Sequence, residues 1–287
     1  MFQRSLSLAA ALAVAAAVAV AGPAESRTPA VPPQRIISLS PAATETLFAI
    51  GAGKQVVAVD DQSDYPKRAP RTKLSGITPN AEAIAGYRPG LVVVQFDANK
   101  IVEALGALRI RVLVQPSAAT LAEAYAQIRQ LGLVTGHRRG AASLVARMKK
   151  QIAALAASAP RASLSVYHEL TPDYYSATSK TFIGRVYGLF GLRNIADAAD
   201  TSGTGYPQLS AEHILASDPD LIVLADTKCC GQTKASVAAR PGWSRLTAVQ
   251  RGAIARIDDS IASRWGPRVV DFVRAVARAL KTVAVGS

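Results

Sequence analysis

Apolar residues in the first part of the chain follow two alternating patterns, short continuous runs and helical spacing. Runs rich in β-branched residues occur at RIISLS (35–40), VVAVD (56–60), LVVVQF (91–96) and RVLVQP (111–116). Helical patterns lie between them, and the first begins after Ser40, a favourable N-cap residue followed by proline. Strands covered on both faces are continuously apolar. Their alternation with helices predicts parallel βαβ units.

The same alternation returns after Pro160. Strands are predicted at SLSVYHE (163–169), LIVLAD (221–226) and AIARID (253–258), and helices at TFIGRVYGLFG (181–191) and PRVVDFVRAVARAL (267–280). The sequence therefore predicts an α/β protein with two βα lobes, each containing a parallel central sheet.

The middle of the chain is helical in pattern from Thr120 to Ser158, with a break predicted near Gly136. A helix over 138–158 is about 30 Å long at ~1.5 Å per residue, the width of a small domain. One face of it is apolar at helical spacing and is predicted to be core: Leu144, Val145, Met148, Ile152 and Leu155.

One stretch of sequence occurs twice, as NAEAIAGYRPGLVVV from Asn80 and as SAEHILASDPDLIVL from Ser210. In each copy a short predicted helix leads through proline to a buried strand, which accounts for the shared apolar residues and proline. Glu82 and Glu212 occupy the same offset in the two copies. The helix macrodipole favours a glutamate in a first turn, but both lobes retain it at one position, which suggests a second role.

The chain begins with features of a secretory signal peptide, predicted over residues 1–21. Arg4 precedes a long apolar run, and small residues follow at 19–21. The alternative is an uncleaved N-terminal anchor. Residues 22–33 are predicted to be a flexible linker. No cysteine follows the apolar run, so no lipid-attachment residue is evident. We expect an exported protein, in the periplasm or on the exterior of the cell envelope.

The chain is basic, with 33 Lys and Arg against 20 Asp and Glu. This balance favours contact with anionic lipid, cell wall or an acidic ligand, unless it only keeps the surface soluble. The basic residues are scattered along the sequence without a long block. Nucleic-acid binding needs a basic stripe with interleaved aromatic residues, and none is visible, so no nucleic-acid partner is predicted.

Several segments resemble one known family. RIISLSPAATETLFAIGAGKQVVAVDDQSDYP, both glutamate-bearing repeats and SRWGPRVVDFV are similar to the periplasmic substrate-binding proteins of ABC importers for cobalamin, haem and ferric siderophores. The resemblance covers roughly residues 34–282, and the WGPR segment is closest to the cobalamin-binding branch. It implies two βα lobes joined by one long, rigid helix, with a ligand cleft between the lobes.

The resemblance also implies a role and a partner. It predicts a monomeric carrier that delivers cobalamin to an ABC permease dimer, and it implies that Glu82 and Glu212 dock on arginines of the two permease subunits. The expected domains are an N-terminal lobe at 34–118, a linking helical segment at 119–159 and a C-terminal lobe at 160–287. No enzyme motif such as G-x-S-x-G or a P-loop occurs in a suitable context, so no enzymatic activity is predicted.

Ligand sites in such folds lie at the carboxyl ends of the strands, facing the crevice. Aromatic side chains with a polar tip suit a large, flat, amphipathic ligand. The resemblance places Tyr206 and Arg264 in the pocket of the cobalamin-binding branch. Trp265 has an alternative interpretation, packing beneath the last helix. The predicted ligand-binding residues are Asp64, Tyr65, Phe96, Tyr175, Tyr206, Cys229, Arg264 and Trp265.

Three questions stay open at the level of sequence. Adjacent Cys229 and Cys230 could form a vicinal disulfide in a ligand loop, supply a thiolate to a metal centre, or be two buried thiols. A ferric siderophore is the alternative ligand, because an anionic siderophore could use Arg185, Arg240, Arg264 and Arg268. Haem ranks third, because SGITPN lacks the tyrosine that haem-binding relatives often carry there. No cofactor is expected, and the histidines show no metal-site spacing.

Overall fold

The computed structural model describes residues 32–159 and 163–285. The predicted signal peptide (1–21) and residues 22–31 of the predicted linker lie outside them. The first sheet is parallel and consists of β1 (Ile36–Leu39), β2 (Val56–Val59), β3 (Leu91–Val94) and β4 (Val112–Val114). Its strand order is β2-β1-β3-β4.

The second sheet is also parallel and consists of β5 (Ser165–Glu169), β6 (Arg193–Asn194), β7 (Leu221–Leu224) and β8 (Ile254–Arg256). Its order is β6-β5-β7-β8, the same topology as the first sheet. The predicted α/β fold with two lobes is confirmed. Only β6 has no counterpart in the predicted strands, because a two-residue edge strand is too short to show a pattern.

Helices connect the strands and cover both sheets. The first lobe contains α1 (Pro41–Ala49), α2 (Ala81–Ala85) and α3 (Ile101–Ala107). The middle of the chain forms α4 (Leu121–Val134) and α5 (Arg138–Ser158). The rest contains α6 (Phe182–Gly188), α7 (Ala211–Ser217), α8 (Lys234–Ala238), α9 (Thr247–Gln250), α10 (Asp259–Ala262) and α11 (Val269–Val285).

The break between α4 and α5 lies where the sequence predicts it. Gly136 has φ 79°, and a Cβ there would approach Pro32 Cγ to 2.9 Å, so a larger residue would be strained in both respects. At the other predicted helix start, the Ser40 side chain accepts a hydrogen bond from Ala43 N. Local sequence thus sets these two helix boundaries.

The long helix α5 packs against α4 and α11. Leu144, Val145, Met148 and Ile152 are buried as predicted, and Leu155 is half-buried against them. They belong to one continuous apolar core that includes residues of both sheets. The lobes are therefore joined by shared packing as well as by α5. Within the described residues, no helix combines the length and apolar character needed to cross a bilayer.

Candidate functional site

Four aromatic side chains that the sequence assigns to the ligand site are strongly exposed. Tyr65 is 46% exposed, Phe96 46%, Tyr175 41% and Tyr206 48%. Tyr65 and Phe96 follow the carboxyl ends of β2 and β3, and Tyr175 follows that of β5. The other eleven Phe, Tyr and Trp rings of the described residues are buried or half-buried. These four therefore form uncovered contact surface.

The segments that carry Tyr175 and Tyr206 are held together by backbone hydrogen bonds. Ser176 N donates to Pro207 O at 3.0 Å, and Leu209 N donates to Tyr174 O at 3.0 Å. Tyr175 and Gln208 form an isolated antiparallel bridge. The structure therefore brings these two predicted ligand aromatics onto neighbouring strands of backbone, although they are 31 positions apart in sequence.

A buried ion pair lies under these loops at the end of β5. Glu169 is fully buried and accepts two hydrogen bonds from Arg240, at 2.6 and 2.7 Å. The Arg240 guanidinium lies 4.6 Å from the Trp243 ring centre and 5.3 Å from that of Tyr174. It also donates to Gln232 Oε1 at 3.0 Å. Arg240 thus ties the Tyr174 loop to the loop before α8.

Asp226 directly follows β7 and is fully buried beside this pair. Neither of its carboxylate oxygens has a hydrogen-bond partner in the described part of the chain. Burial, followed by the negative charge of Glu169, raises the pKa of Asp226 to about 7. Asp226 is therefore a buried carboxylic acid that titrates near neutral pH.

The corresponding edge of the first sheet makes ionic contacts to the other half of the chain. Arg264 Nη1 donates to Asp64 Oδ1 at 2.7 Å and to Glu45 Oε1 at 3.1 Å, and Nη2 donates to Gln62 O at 2.9 Å. Burial opposes ionisation of Asp64, but the hydrogen bond and charge of Arg264 outweigh it and lower its pKa. Asp64 and Arg264, two predicted ligand residues, are thus bound to each other.

Arg268 adds a second link at the same place. It donates to Glu45 Oε1 at 2.6 Å, and its guanidinium lies 4.4 Å from the ring centre of Tyr65. Arg268 Nε and Glu45 Oε2 are buried and have no hydrogen-bond partner among the described residues. A cavity of about 210 Å³ opens here, lined by Glu45, Phe48, Ala49, Tyr65, Pro66, Arg68, Pro267 and Arg268.

Trp265 lies next to this junction and is half-buried. It packs against the shared apolar core, and its Nε1 donates to Gln127 Oε1 at 3.0 Å. These contacts match the alternative interpretation of Trp265 as a packing residue. A ligand contact by Trp265 stays a prediction.

The cysteine loop is anchored to the start of α10. Cys229 and Cys230 form a vicinal disulfide, and both residues are exposed. Lys228 N and Cys229 N donate to the Asp259 carboxylate at 3.0 and 2.8 Å, and Lys228 Nζ lies 2.5 Å from Asp258 Oδ2. The interpretation as two buried thiols is wrong, because both are exposed and bonded. The disulfide also leaves neither sulfur as the thiolate that a metal contact requires.

Glu82 and Glu212 occupy equivalent positions in the two lobes. Each is the second residue of its helix and is exposed. The N-caps match as well, since Asn80 Oδ1 accepts from Ala83 N at 2.8 Å and Ser210 Oγ accepts from His213 N at 3.1 Å. Hydrogen bonds from its own backbone N–H and from Ser210 lower the pKa of Glu212. Both carboxylates are available on the surface.

Sequence reasoning missed three buried acidic residues that organise the site. Glu45 lies within the apolar pattern of α1, and Glu169 and Asp226 end or follow the central strands β5 and β7. For Glu169 and Asp226, the available signal was an acidic residue at or just after the end of a continuously apolar strand. The cationic partners of Glu45 and Glu169 are distant in sequence, so the pattern alone did not identify either ion pair.

Comparison with known proteins decides the family. Residues 36–261 match the periplasmic binding protein family. The chain belongs to the periplasmic binding protein family. This confirms the resemblance found in the sequence. Members of this family bind solutes and are not enzymes, which agrees with the prediction of no enzymatic activity.

Relatives of this periplasmic binding protein carry more specific names. A cobalamin-binding protein of Halobacterium salinarum is 30% identical over 88% of this chain and 71% of its own. Among solved structures, the vitamin B12 binding protein BtuF of Vibrio cholerae is 26% identical with a TM-score of 0.73, covering 88% of this chain and 98% of its own. The haem binding protein HutB of Vibrio cholerae is also 26% identical, with a TM-score of 0.76 and coverage of 85% and 98%.

Proposed function

We propose that this protein binds cobalamin outside the cytoplasm and delivers it to an ABC importer. The observation that carries the proposal is a set of four exposed aromatic side chains: Tyr65, Phe96 and Tyr175 after the carboxyl ends of strands, and Tyr206 in the segment that pairs with the Tyr175 loop. Such rings offer apolar faces, and the tyrosines add a polar tip, which suits a flat, amphipathic ligand. The cobalamin-binding relative and the structural likeness to a vitamin B12 binding protein support it.

The state of the arginines favours cobalamin over an anionic siderophore. Arg240 is paired with Glu169, and both Arg264 and Arg268 are paired with Glu45. Arg185 is exposed on α6. Three of the four arginines that an anionic ligand could use are therefore already neutralised, and recruiting them would leave a buried carboxylate unpaired.

A structural likeness to a haem binding protein keeps haem as a test ligand. The stretch SGITPN (75–80) contains no Tyr, His, Cys or Met, and its one large side chain, Ile77, is 68% exposed and has no ligating atom. Haem iron is usually held by a His, Cys, Met or Tyr side chain. A haem-binding function would therefore need an axial ligand from another part of this chain.

The first experiment is calorimetric titration with cyanocobalamin, followed by haemin and a panel of ferric siderophores under the same conditions. We expect a one-to-one response to cobalamin with a Kd below 1 μM, roughly 8 kcal/mol of binding free energy. A response to a ferric siderophore with none to cobalamin would contradict the ligand assignment and leave the solute-binding family unaffected.

We further propose that Glu82 and Glu212 dock on the permease dimer. Their equivalent positions on two helices of equivalent topology support this, since a two-subunit permease benefits from two equivalent contacts. Reversal of both charges is expected to reduce ligand uptake by cells at least tenfold while calorimetric ligand affinity stays within twofold. The matched control is reversal of Glu103 on α3 and Asp271 on α11, two acidic residues outside these helices and outside the loops that carry the predicted ligand aromatics. Unchanged uptake with Glu82→Lys and Glu212→Lys would contradict the docking role.

A further inference from the structure

The basic residues that look scattered in the sequence are unevenly distributed over the fold. Residues 163–268 contain 11 Lys and Arg against 10 Asp and Glu, so this part is nearly balanced. Residues 119–159, with α4 and α5, contain one acidic residue, Glu123. Their basic residues are Arg129, Arg138, Arg139, Arg147, Lys149 and Lys150. Much of the net positive charge therefore belongs to this helical segment.

Five of these residues lie on the solvent side of α5 and define what we call the basic face: Arg138, Arg139, Arg147, Lys149 and Lys150. The opposite side of α5 is buried in the core. At 3.6 residues per turn, the five side chains spread over about 180° of the helix, away from the buried stripe. Burial of the apolar side thus keeps all five charges on the exposed half of α5.

The basic face is not neutralised by the rest of the protein. No carboxylate among residues 32–159 and 163–285 lies within 4.0 Å of a nitrogen of these five side chains. Two of them contact uncharged groups: Arg147 Nη1 donates to Ser143 Oγ at 3.1 Å, and Lys149 Nζ lies 5.4 Å from the Tyr125 ring centre. An external anionic partner can therefore interact with all five charges.

The residues between the charges identify the kind of partner. The exposed positions among them are small, namely Ala142, Ser143 and Ala146. No aromatic side chain of α5 is available to stack on a nucleic-acid base. No large apolar side chain of α5 is exposed between these charges to enter a hydrocarbon layer. The face therefore suits a broad anionic surface that it can contact without insertion.

We propose that the basic face binds the surface of a bilayer containing anionic phospholipid. From Arg138 to Lys150 the face is ~18 Å long at ~1.5 Å per residue, enough to meet several headgroups at once. Basic residues near such a surface are attracted individually, and salt screens the attraction over ~8 Å at physiological ionic strength. None of the predicted ligand or docking residues lies on α5. The proposal therefore does not depend on the identity of the ligand.

The test is co-sedimentation of the full chain with vesicles of phosphatidylcholine alone and of phosphatidylcholine with 30% phosphatidylglycerol (a composition chosen at roughly physiological charge density). The difference between the two vesicle types measures the electrostatic part of binding and removes the part that does not depend on lipid charge. We expect this difference to be large at low salt and to vanish at high salt. Lys149→Glu with Lys150→Glu should reduce the anionic-vesicle partition coefficient at least tenfold.

The matched control is Lys54→Glu with Lys180→Glu, which changes the net charge equally and alters one exposed lysine in each lobe. Circular dichroism and melting curves verify that both variants are folded. The proposal is overturned if the wild type shows no preference for anionic vesicles. It is also overturned if the control variant loses as much vesicle binding as the α5 variant. A third contradicting outcome is that duplex DNA binds the wild type as tightly as the anionic vesicles do, and that the α5 variant loses DNA binding to the same extent.

Discussion

The carboxyl ends of the two sheets have the same topology and very different surroundings. At the first sheet, Asp64 and Glu45 are bound to Arg264 and Arg268 from the other half of the chain. At the second sheet, the ion pair Glu169–Arg240 is internal to the lobe and lies under loops that expose Tyr175 and Tyr206. One edge is tied to the other half of the chain by ion pairs, whereas the other keeps its ion pair within its own lobe.

This difference shows that a repeated fold does not repeat its site. The duplicated sequence supplies one equivalent helix and strand to each lobe, α2 with β3 and α7 with β7, and with them the positions of Glu82 and Glu212. The loops after the strands are not duplicated, and they determine what each edge contacts. Four predictions follow from this contrast, beginning with the largest expected effect.

Removal of the internal ion pair should be the most damaging change. Arg240→Ala leaves the carboxylate of Glu169 fully buried without its cation, and breaking a buried pair in this way costs about 3–5 kcal/mol. Denaturant unfolding measures the loss. Arg245→Ala, at an exposed arginine of the same segment, is the control and should cost under ~0.5 kcal/mol. A similar small loss in both variants would mean that Glu169 accepts a proton instead.

Removal of the inter-lobe arginine should have a smaller effect on stability. Arg264→Ala takes away contacts to Glu45, Asp64 and Gln62, but Arg268 remains bound to Glu45. A hydrogen bond to a charged group contributes about 1.5–3 kcal/mol. Because Asp64 is partly exposed and Glu45 keeps its contact with Arg268, we expect a total loss close to that of one such bond, about 2–3 kcal/mol. Small-angle scattering should also detect a larger radius of gyration. An unchanged radius together with unchanged stability would show that this junction does not hold the lobes.

Titration of Asp226 should make stability depend on pH. Its pKa is raised to about 7 in the folded protein and is ~3.9 when unfolded. The folded state therefore binds the extra proton, so stability falls as pH rises from about 4 to 7 and is level above that. Asp226→Asn should remove this slope and be more stable than wild type at pH 8, by roughly 1–2 kcal/mol. The effect is measured as the difference in unfolding free energy between wild type and Asp226→Asn, determined at several pH values from 5 to 8.

Another titrating group acts in the opposite direction and must be separated from Asp226. Burial lowers the pKa of His168 to about 3, so stability is lost as pH falls from about 6.5 towards 3. This effect is the same in wild type and in Asp226→Asn and cancels in their difference. If the difference in unfolding free energy between wild type and Asp226→Asn did not change with pH, the predicted titration of Asp226 would be contradicted.

The smallest effect on stability, and a clear effect on binding, is expected at the exposed aromatics. Tyr206→Ala should leave the unfolding free energy within ~0.5 kcal/mol of wild type and weaken ligand binding about tenfold, or ~1.4 kcal/mol. The control is Leu133→Ala, also at an exposed apolar residue but on α4. It should change neither the unfolding free energy nor the ligand affinity. Calorimetry with the ligand found for the wild type decides it. If Tyr206→Ala bound the ligand with unchanged affinity, Tyr206 would not be part of the binding surface, and Tyr65 and Phe96 would be the next residues to test.

Sequence patterns predicted most of the fold and part of the site. Continuous apolar runs marked seven of the eight strands within the described residues, since burial on both faces leaves a strong signal. Exposed aromatics after strand ends could be identified because strand ends in parallel sheets meet at one edge. The pairing of Arg264 with Asp64 could not be inferred, because 200 positions separate them and either residue alone fits a ligand site equally well.

By itself the sequence determined seven of the eight strands of the described residues, the longer helices, the two equivalent glutamates and the family. These depend on local periodicity and on motifs, which a linear chain carries in full. Tertiary structure decided which charges are paired and which surfaces remain open. Arg240 and the α5 residue Lys149 look alike in the sequence, yet one is bound to a buried carboxylate and the other is exposed without one among the described residues. Charge pairing depends on distances across the fold, and only folding sets those distances.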